Sequence, residues 1–289
     1  MSFLTVENLT HIYGSSEKSS RAAINDISFS LEKGKILGII GHTGSGKSTL
    51  VSHLNGLIKP TSGRILIDGE DIWSNPKEIK KIRARVGLVF QYPEYQLFEE
   101  TVFEDIAFGP KNLGVSEESL DSVVKSAASL MKVGDDILNK SPFDLSGGQK
   151  RRVAIAGVLA MEPEIVVFDE PTAGLDPEGR ETIFKAIADY QRHKNATVII
   201  VSHSMEDIAA ICDKVLVLSK GRVAMFDSTD KVFARCDELK ALGLGVPMIT
   251  EVFSKIKAEV PGLIDYPLTV KEGVEAIIRY IEKGGVARD

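Results

Sequence analysis

Two stretches of this chain carry residues whose types and spacing can hold phosphate. The first is Gly41-His42-Thr43-Gly44-Ser45-Gly46-Lys47-Ser48, followed by Thr49. Its glycines let the backbone turn tightly enough to aim successive N–H groups at phosphate oxygens. Lys47 brings a positive charge to the outer phosphates of a nucleotide such as ATP, and Ser48 a hydroxyl to Mg²⁺. The second is Leu145-Ser146-Gly147-Gly148-Gln149-Lys150-Arg151, which opens the apolar stretch Val153-Ala154-Ile155-Ala156-Gly157-Val158-Leu159-Ala160. A helix that starts on small residues exposes backbone N–H groups and the positive end of its dipole, which again suits an anion.

Three further groups follow apolar runs. Ile165-Val166-Val167-Phe168 ends in Asp169-Glu170. Adjacent carboxylates at a strand end point to opposite sides, so they can do different jobs. Asp169 can hold hydrated Mg²⁺, while Glu170 aligns or deprotonates an attacking water. Gln91 follows Val86-Gly87-Leu88-Val89-Phe90, and its neutral amide can touch both the metal and the water. His203 follows Thr197 to Ser202 and can donate to a terminal phosphate. Ser48, Gln91 and Asp169 are therefore the metal candidates, and Glu170, Gln91 and His203 the catalytic ones.

The elements that must position these groups alternate. Phe3 to Tyr13 and Ala22 to Ile40 read as strands, with Gly14 to Arg21 as a loop between them and Leu37-Gly38-Ile39-Ile40 as a buried strand ending in the first phosphate loop. Lys47 to Leu57 reads as a helix, which gives that loop the strand and helix it requires. A strand is expected over Arg64 to Asp68 and a charged helix over Lys77 to Arg85. From Thr101 to about Leu159 only helical spacing appears, at Val102 to Phe108, Glu117 to Lys132 and Gly147 to Met161. Asp176 should cap a helix running to Lys194, with Pro177 in its first turn. Val215 to Phe226 reads as a hairpin around Lys220-Gly221. Strands that alternate with helices imply a largely parallel sheet, whose ligands sit at the carboxyl ends of the strands. The first phosphate loop, Gln91, Asp169, Glu170 and His203 should therefore converge.

Composition narrows the class without naming it. Apolar residues make up 43% and charged residues 26% of 289 residues, which is that of an ordinary globular protein. No apolar run reaches the roughly 18 residues of a membrane span, and the N-terminus lacks the basic-then-apolar pattern of a signal peptide, so a cytosolic chain is expected. Cys212 and Cys236 lack metal-ligand spacing and read as reduced structural thiols. The formal net charge of −6 and the lack of a long basic run argue against nucleic acid as a partner. Arg83, Arg85, Arg151 and Arg152 read as solvated or nucleotide-proximal.

Taken together, these motifs resemble the ATPases of the ABC family over about Phe3 to Phe226. The resemblance implies a P-loop NTPase of the ABC-ATPase fold: α/β, with a RecA-like mostly parallel sheet, an N-terminal antiparallel β subdomain, a helical subdomain holding the signature, and a small C-terminal helical module. It implies that Tyr13 stacks on adenine, that Gln91 is the Q-loop residue, that Leu145 to Arg151 is the signature, and that Asp176 in Ala173-Gly174-Leu175-Asp176 belongs to the D-loop. It further implies a head-to-tail dimer. In such a dimer Ser146, Gly147, Gly148 and Gln149 close over ATP held by the phosphate loop of a second ABC ATPase subunit, identical or not. Such a site works by positioning and charge stabilisation.

A finer resemblance lies in Phe90-Gln91-Tyr92-Pro93-Glu94-Tyr95-Gln96-Leu97-Phe98-Glu99-Glu100-Thr101-Val102, where the Pro-acid-x-Gln element is similar to that of the ATPase subunits of energy-coupling factor importers. The segment Leu242-Gly243-Leu244-Gly245-Val246-Pro247 also resembles that group. This implies an integral-membrane coupling component, a substrate-binding membrane component, uptake of a vitamin or metal ion, and a peripheral location on the cytoplasmic face of the cell membrane. The expected organisation is an ATPase domain over 1-233, with its helical subdomain at about 92-160, and a C-terminal module over 234-289 that is a candidate for dimerisation. Two short amphipathic helices, Met248 to Val260 and Val270 to Lys283, are expected there. An ordinary or cobalt/nickel-type ABC transporter shares most of these motifs. A soluble ABC ATPase acting on ribosomes or DNA would carry two such domains or a long coiled coil, and a small-molecule kinase would carry no signature heptad.

Overall fold

The computed structural model describes residues 2–14, 22–257, 259, 260, 263 and 266–283; beyond Gly14, the expected loop 14–21 lies outside them. Among the described residues ten strands form two sheets. Strands β1 (Ser2–Ile12), β2 (Ala22–Glu32), β4 (Ser62–Ile67) and β5 (Glu70–Asp71) make an antiparallel sheet in the order β2-β1-β4-β5. Strands β3 (Ile36–Gly41), β6 (Val86–Val89), β7 (Ile165–Asp169), β8 (Thr197–Val201), β9 (Lys214–Ser219) and β10 (Arg222–Ser228) make the second, in the order β10-β9-β3-β8-β7-β6. All its pairs are parallel except β10 with β9.

The second sheet explains the continuous apolar runs, because both of its faces are covered. Along β3, Ile36 and Ile40 join one core while Leu37 and Ile39 join another; Val166 and Phe168 of β7, and Val198 and Ile200 of β8, side with the first, and Ile165, Val167, Ile199 and Val201 with the second. The first core is completed by helices and the second by the antiparallel sheet with helix residues Leu50, Val51 and Leu54. Every residue of β3, β6 and β8 is therefore buried, and no polar alternation is written into those runs. Register carries the same division across the sheet: Ile36 pairs with Val198, and Val198 with Val166. Truncating a fully buried Ile39 or Ile200 to Ala would cost about 2–5 kcal/mol.

Helices Val102–Asn112, Glu117–Leu130 and Gly147–Leu159 pack on one another through Ile106, Val124, Val153 and Ile155. Helix Pro177–Lys194 is capped as expected, Asp176 Oδ1 accepting from Gly179 N–H at 2.7 Å with Pro177 in the first turn. The β9–β10 hairpin turns on Lys220 and Gly221, both left-handed, the geometry a two-residue hairpin favours. Short helices at Met205–Ile211, Thr229–Ala234 and Cys236–Ala241 were not expected; two turns or fewer give too short a window for a 3.6-residue period to register. Cys236, Leu239, Leu244 and Val246 lie in the large core beside the sheet, whereas Phe253, Leu263 and Ala276 build a small core of their own between helices Met248–Ile256 and Val270–Glu282.

Candidate functional site

Gly41 and Gly46 make the first phosphate loop possible. Gly41 has φ +153°, and a Cβ there would sit 2.4 Å from Leu218 O; Gly46 has φ +104°, and a Cβ would sit 2.8 Å from Ala23 O. Any other residue would drive the loop off β9 and β2, so glycine is required by this chain's own packing. The hairpin holds the loop from behind, Gly221 N–H donating to Ser45 O at 3.0 Å. Lys47 opens helix Lys47–Leu54, and its Nζ donates to Gly41 O at 2.5 Å and His42 O at 3.0 Å. Burial lowers its pKa, against the opposing pull of Glu170 and Asp169. The ammonium is thus held inside the loop, donating to carbonyl oxygens that an anion could replace.

Thr43, Gly44, Gly46, Lys47, Ser48, Thr49, Gln91, Asp169, Glu170 and His203 line one cavity of about 480 Å³. The expected convergence at strand ends is met, for the reason that made it expected: β3, β6, β7 and β8 run parallel, so their carboxyl ends lie on one edge. His42, Thr43, Gly44 and Ser45 also line an adjoining cavity of about 530 Å³, with Lys220 and Leu242. Tyr13, at the end of β1, is half-exposed and its hydroxyl lies 3.4 Å from Thr49 Oγ1. Its ring stands edge-on to His11 at 4.5 Å, and His11 in turn packs on buried His53 at 4.7 Å. Sequence inspection missed that pair of imidazoles, since neither lies in a phosphate-binding motif.

Glu170 is the most constrained of the group. Its backbone is left-handed at φ 52°, a conformation that costs a non-glycine residue about 1–3 kcal/mol and that recurs at functional sites. Its N–H donates to Val201 O at 3.0 Å, which ties it to β8. Oε1 is buried without a hydrogen-bond partner, and His203 Nε2 stands 3.5 Å away. Burial, then the charge of Asp169, raises the Glu170 pKa; burial also raises that of Asp169, with Lys47 opposing. For His203, burial, then Lys47 and His42, act downward. A carboxylate with raised proton affinity and an unused oxygen can accept a proton from a water placed against it. The hydroxyl of Ser48, the amide of Gln91 and the carboxylate of Asp169 offer oxygens only, a set that suits a hard cation.

The second phosphate device lies elsewhere. Ser146 caps helix Gly147–Leu159 in a reciprocal box: Ser146 Oγ accepts from Gln149 N–H at 3.4 Å, and Gln149 Oε1 accepts from Ser146 N–H at 3.0 Å. Gln149 thus spends its side-chain oxygen on the helix start. Ser146, Gly148 and Asp176 line a cavity of about 580 Å³ with Arg152, Gly174 and Leu175. It shares no lining residue with the cavity around Lys47. Gly147 shows why glycine matters here: a Cβ would meet nothing within 4 Å, and at Gly148 the nearest atom would be 3.9 Å away. This chain's own packing needs neither glycine.

Of the four arginines read as solvated or nucleotide-proximal, Arg151 is neither exposed nor in the nucleotide cavity. Its side chain is 4% exposed and grips Glu94 with both Nε at 2.9 Å and Nη2 at 2.6 Å. Only the tertiary contact could reveal this, because Glu94 belongs to the loop after Gln91.

A chain whose two glycine-rich stretches line separate cavities has the layout of an ATP-binding cassette. It matches the family described as "ABC transporter" over residues 24–173, and it belongs to that family, among the energy-coupling factor transporter ATP-binding proteins. It is 48% identical to the energy-coupling factor transporter ATP-binding protein EcfA2 of Caldanaerobacter subterraneus subsp. tengcongensis over 278 residues, 96% of this chain and 97% of that one. With the EcfA2 of Clostridium tetani it shares 47% over 277 residues, 96% of each. Among solved structures, CbiO1 from Clostridium perfringens, part of the ABC transporter complex CbiONQ, superposes with a TM-score of 0.74 at 36% identity, covering 90% of this chain and 96% of that one. A dimeric ATP-binding cassette in a post-hydrolysis state with ADP and Pi gives 0.70 at 27% identity, covering 78% of this chain and 98% of the other.

Proposed function

We propose that this chain is the ATP-hydrolysing subunit of an energy-coupling factor importer, paired with a second such ATPase and docked on membrane components that select and carry a vitamin or metal ion. The observation that carries the reading is the split just described, together with glycines at Gly147 and Gly148 whose absent Cβ would meet no close contact among the described residues. A solved cassette with this fold is dimeric in two structures. In a head-to-tail pair, Ser146, Gly147, Gly148 and Asp176 face the ATP held by the partner's phosphate loop. Tyr13 packs on the base. Lys47 holds the outer phosphates, which displace its nitrogen from the loop carbonyls.

Mg²⁺ fits the hydroxyl, amide and carboxylate oxygens of Ser48, Gln91 and Asp169, and it supplies charge neutralisation on the phosphates. Glu170 orients the attacking water and accepts its proton, and neutral His203 donates toward the terminal phosphate. Phosphoryl transfer asks for little else.

The membrane partner has a place on the helical subdomain. A cavity of about 780 Å³ runs between Leu97, Phe98, Phe108, Leu113 and Met161, with Asp105 in its wall. Tyr95 nearby is 84% exposed. Exposed apolar rings with Lys80, Arg83 and Asp105 around them fit a helix from another chain. Among the described residues no helix is long and apolar enough to cross a membrane, so the reading places the chain peripherally on the cytoplasmic face. In the module 234–289, helix Val270–Glu282 leaves Val270, Val274, Ile277, Ile278 and Ile281 exposed at helical spacing, which fits a role in dimerisation. The likeness to CbiO1, part of the ABC transporter complex CbiONQ, is equally compatible with the alternative of another type of ABC transporter. Capture of the tagged chain from membranes, followed by identification of co-purifying proteins, decides: recovery with no integral-membrane chain sinks the transport reading.

A further inference from the structure

Arg151 ties the helix it belongs to onto two loops. It lies in the helix that starts at the signature. Its guanidinium makes a two-pronged ion pair with Glu94, at 2.9 and 2.6 Å, in the single turn Pro93–Gln96 that follows Gln91. Nη1 donates to Ala173 O, in the turn between Glu170 and Asp176, where Ala173 N–H donates back to Glu170 O at 3.2 Å. The Tyr92 ring lies under the guanidinium, 5.6 Å from centroid to carbon, on a left-handed backbone at φ 56°. Arg151 is 4% and Glu94 14% exposed at the side chain.

Such an arrangement has only one chemical solution. A planar guanidinium can hold a carboxylate with two parallel bonds, spare a third donor for a carbonyl and stack on a ring; an ammonium cannot do all of these. Burial matters as well, since a pair screened from water holds its geometry where a surface pair would not. Gln91 and Glu170 face the ATP bound by this chain; the signature and Asp176 face the ATP bound by the partner.

Resting on the proposed function, we propose that Arg151 is the positioning residue that couples the two sites: through Glu94 and Ala173 it keeps the chain's own Gln91 and Glu170 in register with the signature and Asp176 that it presents to its partner's ATP. A displacement of the Gln91 loop on filling the chain's own site is then passed to the helix that serves the other site. Arg151 itself touches no nucleotide.

The test measures ATP binding, turnover, the Hill coefficient for ATP and the melting temperature of the full-length chain in the complex captured from membranes. The variants are Arg151→Lys, Glu94→Gln and the double variant Arg151→Met, Glu94→Leu. The double variant leaves no lone buried charge, so its fold should be preserved. In all three, ATP binding should stay within about twofold of wild type while kcat falls about 10- to 100-fold at little-changed KM, as for a misplaced group remote from the chemistry. The Hill coefficient should fall to one. Unchanged turnover and cooperativity would overturn the role, and so would a double variant whose turnover recovers along with its melting temperature, since the pair would then be structural only. A wild-type complex that hydrolyses no ATP would sink the proposed function and the coupling role together; wild-type turnover with unaltered variants sinks the coupling alone.

Discussion

The loop around Lys47 and the helix start at Ser146 are both glycine-rich phosphate devices, yet their glycines answer to different masters. At Gly41 and Gly46 an added Cβ would strike Leu218 and Ala23 of the same chain. At Gly147 and Gly148 it would strike nothing within ordinary contact distance. Residue types that the folded chain does not need are there for something outside it. The comparison thus separates a cavity that gathers lysine, carboxylates and amide around a tightly wound glycine loop from one where Arg152, Asp176 and Glu178 flank an open helix start and no lysine sits inside a loop.

Substitutions can break that separation, and the largest effect should come from the cavity around Lys47. Glu170→Gln should lower ATP turnover by about 10²- to 10⁴-fold, the contribution of a positioned general base, while ATP binding survives and the dimer stays closed on size-exclusion chromatography with ATP. Turnover near that of wild type would remove Glu170 from its role. On the other surface, Ser146→Arg should lower turnover by about 10²- to 10³-fold, as loss of an anion-stabilising donor does, with ATP affinity of the isolated chain unchanged within about twofold. Weakened binding by the monomer would mean that Ser146 serves its own chain's nucleotide, and the division between the regions would fail.

Tyr13→Ala should weaken ATP binding about 10-fold, in the range of one lost base–aromatic stack, with kcat nearly constant; nucleotide titration by fluorescence reads it. An equal loss for ATP and for inorganic triphosphate would show that the ring does not touch the base. The smallest effect is on stability. Glu170 has a folded pKa above its ordinary 4.5 because burial and Asp169 disfavour its charge. A carboxylate shifted this way destabilises the fold fully above its folded pKa and not at all below its unfolded one. Glu170→Gln should therefore raise the melting temperature at pH 7.5, on the order of 2 °C, and the gain should vanish as pH falls toward 4.5.

Much of this site was legible before any coordinate. Lys47, Asp169, Glu170, Gln91 and His203 each stand next to an apolar run, and a parallel sheet brings such positions to one edge whatever the details of packing. The helix cap at Asp176 was equally local, since a cap is a contact between residues three apart, and so was the helix start at Ser146, though not its capping box. Arg151 was not legible, because its partner Glu94 lies far away in the chain and a basic residue beside Arg152 reads as surface. His11 and His53 were hidden for the same reason. The helices Thr229–Ala234 and Cys236–Ala241 escaped because they are too short to show a period, and only their packing revealed that Leu239 and Leu244 belong to the large core.

Local chemistry, then, is written in the order of residues: which backbone can cradle phosphate, which side chains can hold a metal or take a proton, and which runs must be buried on two faces. These follow from steric, charge and burial rules that act within a few positions. Where the second phosphate device would sit relative to the first, which glycines the chain needs for itself, and that one guanidinium joins the loops of two sites were decided by tertiary packing. Those properties depend on contacts between residues distant in sequence, which chain order does not specify.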